Sequence, residues 1–153
     1  MLRSCISLVC LLLLQGVNAA EPAFFLRGFQ QSKLIIDTES RGCVLFDVYV
    51  AQTPEQRAQG LMRIESMQRY EGMIFLYAEE ASISMWMKNT LIPLDMIFIS
   101  RNARIANIHR NAVPMSEEII DSGAAVIAVI ELNGGAADYF GISNGDRIIF
   151  PAG

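Results

Sequence analysis

The sequence predicts a mostly β domain, a compact antiparallel sandwich or jelly-roll-like barrel with one short helix. Two observations carry this expectation. From Lys33 onward the chain is a series of short apolar runs separated by turn residues, and one run alternates with a period of two. No helical pattern is long enough to serve as a repeated crossover, which argues against a parallel sheet flanked by helices.

Each element has its own signal. Lys33 to Asp37 reads as the start of a strand. Val44, Phe46, Val48 and Val50 alternate with Leu45, Asp47 and Tyr49, so this strand lays one face on the core. Thr53 to Gly60 reads as a helix of barely two turns. Thr53 and Gln56 have capping-box spacing, Pro54 suits the first helical position, and Gly60 suits a left-handed stop. Leu61 and Met62 then return to the core. A turn at Glu71-Gly72 opens a strand over Met73 to Tyr77, and Ile83 to Lys88 reads as another. Leu94 to Ser100 follows, and Arg101-Asn102-Ala103 turns the chain into Arg104 to Arg110. Ala124 to Leu132 is a near-continuous apolar run interrupted only by Glu131 and broken by Gly134-Gly135. Ala136 to Phe140 forms one helical turn closed by Gly141. Asn144-Gly145-Asp146 is a turn before a last strand from Arg147 to Phe150. The total is seven or eight strands.

Residues 1–19 read as a signal peptide rather than as part of the fold. Arg3 supplies a positive start, Cys5 to Leu14 is apolar, and Val17 and Ala19 suit a signal peptidase site. The apolar run is too short to span a bilayer core of about 30 Å. Cleavage after Ala19 leaves 134 of the 153 residues, enough for one domain, with residues 20–32 as a loose lead-in and 33–153 as a single β domain. No apolar stretch beyond the signal is long enough for a mature transmembrane span. The expected location is periplasmic or secreted. The mature chain carries 11 basic and 16 acidic residues, a net charge of −5, which is a poor match to nucleic acid. Only Cys43 remains after cleavage, so no internal disulfide is expected. Its place at the head of an apolar run reads as a buried small hydrophobe.

Three segments resemble a known family. They are Arg57-Ala58-Gln59-Gly60-Leu61-Met62, Glu71-Gly72-Met73-Ile74-Phe75, and the long stretch Trp86-Met87-Lys88-Asn89-Thr90-Leu91-Ile92-Pro93-Leu94-Asp95-Met96-Ile97-Phe98. The chain resembles the bacterial and archaeal domain of unknown function family 192 over about Lys33 to Phe150. The resemblance implies a compact, mostly β fold and no established activity. Met85 departs from the pattern, since an aromatic residue usually precedes the tryptophan.

The Met85–Asp95 stretch is also the richest in chemistry. It holds the only tryptophan and one of two lysines between apolar neighbours. Lys88 brings a cation, Asn89 an amide, and Asp95 an acceptor-only anion. One reading is structural: Asp95 accepts backbone N–H bonds to pin the loop, and Lys88 neutralises it. The other is that Trp86, Lys88, Asn89 and Asp95 bind a polar ligand. Arg57 could clamp an anion with its fork, and Glu131, ending an apolar strand, is placed for desolvation. Together these six residues form the candidate ligand-binding set. His109 reads as an exposed strand histidine. No metal-ligand spacing, phosphate loop or nucleophile motif appears, so no metal or cofactor is expected.

Three functions follow. The first is an exported module that binds a polar small molecule or an envelope component, or serves as an accessory protein. The second is a hydrolase of saccharides or envelope material, with Asp95 and Glu131 as an acid-base pair. The third is a purely structural domain.

Overall fold

The computed structural model describes residues 25–150, so the predicted signal peptide lies outside the described residues. Among the described residues, seven strands and two short helices follow one another: β1 (Gln30–Thr38), β2 (Gly42–Ala51), α1 (Pro54–Gln59), β3 (Glu71–Met85), β4 (Leu94–Ile99), β5 (Ile105–Ala112), β6 (Ile120–Asn133), α2 (Ala136–Phe140) and β7 (Arg147–Ile149). The mostly β expectation therefore holds. The strands form one sheet in the order β5-β4-β6-β3-β2-β1-β7.

That sheet curls into a half-barrel. The two edges approach, and Ile105 N–H donates to the Asp146 carbonyl (2.9 Å) while Ile148 N–H donates to Ala103 (2.8 Å). An isolated antiparallel bridge between Arg104 and Arg147 lies in the same seam. Edge strands that would otherwise present unpaired backbone are thus stitched together.

All neighbouring strands are antiparallel except β2 and β3, which run parallel. The short helix α1 and the loop after it make that single crossover. The capping box at its start is formed: the Thr53 side chain accepts from Gln56 N–H (3.2 Å), and the Gln56 side chain accepts from Thr53 N–H (3.1 Å). Gly60 has φ 49° and ψ −138°, a positive φ but not the left-handed helical conformation expected of it.

Two cores result. The first draws on every strand, with Leu34, Phe46, Ile74, Ile97, Ile108, Ile130 and Ile148 among its members, and so fills the concave face. The second lies on the outer face, where Met73, Phe75, Met96, Phe98 and Val129 are covered by Leu61, Ile64 and Met87. Strands covered on both faces read as continuous apolar runs rather than alternating ones. This is why β4 is buried along its whole length. Among the described residues, no helix is long and apolar enough to cross a membrane.

Two further expectations about local structure change. The runs Met73–Tyr77 and Ile83–Lys88 belong mostly to one bent strand, β3, whose pairing with β6 shifts register between Leu76 and Ala81 and again between Ser82 and Ser84. Such irregularities bend a strand without ending it. Cys43 is exposed rather than buried. Its parity on β2 is that of exposed Leu45 and Asp47, opposite to core Phe46 and Val48.

Candidate functional site

The bend in β3 builds a cleft on the outer face of the sheet. One wall is α1 with the residues just after it, including Arg57, Gly60 and Met62. The opposite wall is the far end of β3 and the turn beyond it, including Ser84, Trp86, Lys88 and Thr90. Glu131 lies at the base, and the cleft, which opens to solvent, has a volume of about 80 Å³.

Glu131 sits on β6 between Met73 of β3 and Met96 of β4, its partners across the two ladders. Both methionines are fully buried, and Glu131 itself is only 4% exposed. Burial pushes its carboxyl up from 4.5 to about 8, because the charged form has lost its water. Among the described residues no donor or cation reaches this carboxyl group. Its oxygens are not sealed in the core but open onto the cleft. A buried acid without a partner is rare, since the desolvation of a polar group is normally offset by a hydrogen bond.

Two cations line the same cleft. On α1, Arg57 donates through Nη1 to the carbonyls of Gln52 (2.8 Å) and Leu76 (3.0 Å), and its guanidinium lies 5.1 Å from the centre of the Tyr77 ring. The Tyr77 hydroxyl donates to Met85 Sδ at 3.7 Å. Burial raises the Tyr77 phenol, Arg57 lowers it and Glu131 raises it. On the other wall, Lys88 Nζ lies 5.2 Å from the Trp86 ring centre and 3.8 Å from Glu117 Oε2. Trp86 is 44% exposed, with a free surface at the mouth of the cleft.

Of the six residues singled out in the sequence, four therefore line one cleft: Arg57, Trp86, Lys88 and Glu131. Asn89 and Asp95 have other jobs. Asn89 occupies the third position of a turn closed by Thr90 N–H to the Met87 carbonyl (3.0 Å), with φ 56°. Asparagine tolerates that left-handed conformation better than most residues. Its carbonyl accepts from Arg63 N–H at 2.9 Å, which ties the turn to the loop after α1.

Asp95 is fully buried and accepts three backbone N–H bonds, from Asn111 (2.8 Å), Gly135 (3.1 Å) and Ala137 (2.7 Å). It pins the start of α2 and the end of β5 against β4. Lys88 does not neutralise it; the cation pairs with Glu117 instead. The proposed Asp95–Glu131 acid-base pair is not formed either. Asp95 pairs with Leu132 and Met96 with Glu131, so the two acids project from opposite faces of neighbouring strands.

The sequence reading missed Tyr77 and the wall residues Gly60, Met62 and Ser84. Leu61 and Met62 were expected to drop back to the core. Leu61 does so, whereas Met62 is partly exposed in the cleft wall. The only sequence signal for Gly60 and Met62 was nearness to Arg57, and for Ser84 nearness to Trp86; Tyr77 had none. His109 is exposed on β5, as expected. Among the described residues, no group of three or more acids, histidines or cysteines could hold a metal ion.

A family model for DUF192, described as an uncharacterized ACR, matches residues 35–150. The chain belongs to this family. Two solved structures are similar over most of their length. A "putative transcription regulator" from Sinorhizobium meliloti 1021 is 43% identical, with a TM-score of 0.78, covering 80% of this chain and 95% of that one. A protein of unknown function from Novosphingobium aromaticivorans DSM 12444 is 37% identical, again with a TM-score of 0.78, covering 81% of this chain and 88% of that one. A comparison with curated proteins returned no match. DUF192 membership carries a fold and no activity, so function rests on the cleft.

Proposed function

We propose that this DUF192 protein is an exported ligand-binding or accessory module of the cell envelope, with the cleft over Glu131 as its binding site. The observation that carries this reading is Glu131, a residue only 4% exposed whose carboxyl has no partner among the described residues and opens onto the cleft. A ligand that supplies the missing hydrogen bond gains a strong, directional contact there. Trp86 adds an aromatic face at the mouth, and Arg57 and Lys88 add donors on both sides. The acidic balance of the chain favours a small ligand over nucleic acid. Export rests on the signal-like residues 1–19.

A thermal-shift screen of the chain from Ala20, against envelope-derived saccharides, nucleotides and small acids, tests the binding reading. At least one compound should raise the melting temperature of the wild type and lose that effect in Trp86→Ala and Lys88→Ala, two partly exposed positions. A screen in which nothing stabilises the wild type, or in which both variants respond like it, sinks the assignment of this cleft. Export is checked separately by N-terminal sequencing of the protein recovered from cells, which should begin at Ala20. An intact Met1 would overturn it.

A further inference from the structure

We propose that the cleft takes a small carboxylate, held with one of its oxygens against the Glu131 carboxyl and flanked by Arg57 and Lys88. This deepens the binding reading above and rests on it. Size sets the first limit. About 80 Å³ is well below the roughly 300–1,000 Å³ of pockets for larger organic ligands, so the cleft admits a carboxyl group on a short apolar stem. The wall residues Phe75, Met62 and Met85 suit such a stem.

Charge sets the second limit. The lining holds two cations and one acid. Arg57 from α1 and Lys88, with Glu117 behind it, line the cleft; Tyr77 of β3 feels the Glu131 charge, and uncharged Met73 and Met96 sit beside Glu131 on the neighbouring strands. A ligand ammonium would enter beside two positive groups. A ligand carboxylate would be attracted to both, and Arg57 uses only Nη1 for its carbonyl bonds, leaving the rest of its fork available.

The acid then supplies the donor. Burial keeps Glu131 protonated at neutral pH, so its O–H can donate to the ligand's carboxylate oxygen. Acid and carboxylate share one proton, as paired carboxyl groups do elsewhere. Loss of that proton places two negative charges together and expels the ligand. Carboxylate binding should therefore weaken as pH rises through about 8.

The only tryptophan lines the site, so its indole N–H signal reports occupancy by NMR. The chain from Ala20 is titrated with propionate and, separately, with propylammonium, at pH 6 and pH 9. Propionate should shift the Trp86 signal saturably at pH 6, with an apparent Kd weaker by about tenfold at pH 9, where about a tenth of Glu131 retains its proton. Lys88→Ala should weaken propionate binding at both pH values. Glu131→Gln, whose amide N–H can still donate, should bind propionate with the pH dependence abolished. Saturation by propylammonium but not propionate overturns the proposal and leaves the cleft a binding site. Propionate binding that is equal at pH 6 and 9, or equally pH-dependent in Glu131→Gln, also overturns it. If neither probe saturates, the carboxylate assignment fails, and the broader screen alone decides whether the cleft binds anything.

Discussion

Replacing Glu131 with glutamine should remove a defined pH dependence from the stability of this protein. The native carboxyl is raised from 4.5 to about 8 by burial alone. Between those values the folded state keeps a proton that the unfolded chain releases. Stability is then fully present below about pH 4.5 and falls as pH rises towards 8. At about 1.4 kcal/mol per pH unit, the fall between pH 5 and pH 8 is about 3.5 kcal/mol. Glutamine occupies nearly the same volume and does not titrate. Its amide has a burial penalty of its own, but that penalty is the same at every pH. Urea unfolding of wild type and Glu131→Gln at pH 5, 6, 7 and 8 should therefore give a difference that grows by about 3.5 kcal/mol in favour of the variant. In melting temperature the same divergence is on the order of 10 °C for a domain of this size. Parallel stability curves from pH 5 to 8 would show that Glu131 does not keep its proton in the fold, and both the desolvation argument and the carboxylate proposal would fall.

Other substitutions separate support from site. Asp95→Ala removes the acceptor of three backbone N–H groups, the one at Ala137 buried and the other two part-buried, and should destabilise the protein by about 3 kcal/mol in urea unfolding. Because Asp95 faces away from the cleft, that variant should keep the ligand affinity of the wild type while folded. Gly72→Ala would place a Cβ 2.6 Å from the Glu131 carbonyl oxygen and 2.7 Å from Leu132 Cδ2. It should lose about 2 kcal/mol or more as β3 and β6 are forced apart, measurable by thermal unfolding. Asn89→Ala, at φ 56°, should lose about 1 kcal/mol, whereas Asn89→Gly should be close to neutral. Equal losses in the two Asn89 variants would mean that its amide contact to Met62, not the backbone turn, is what matters.

Local chemistry is legible in the sequence. The capping box of α1 needs only Thr53 and Gln56 three positions apart, so its formation follows from the chain itself. The αL stop at Gly141 (φ 70°) is equally local. So are the apolar runs that became β4 and β6, and the glycine break between β6 and α2. The site was half legible. Trp86, Lys88, Arg57 and Glu131 were picked out by residue type and setting, and all four line one cleft.

What could not be read is which of the candidates share a face. Asp95 and Glu131 were natural partners as two acids in apolar strands, yet one step of register between β4 and β6 sends them to opposite sides of the sheet. Lys88 meets Glu117 rather than Asp95 because the turn after β3 lies against the loop after β5, where Met87 N–H donates to the Ser116 carbonyl (3.0 Å). The cleft itself depends on the bend in β3, which folds Ser84 and Trp86 back over Glu131. By itself the sequence determined the β class, the capping box of α1, the αL stop of α2, the turns and the residues with useful chemistry, because those are set by neighbours along the chain. Only the tertiary structure decided that Asp95 is a lock and Glu131 an open, unpartnered acid. Strand register and strand curvature assign each side chain to a face, and both are set by packing between residues far apart in sequence.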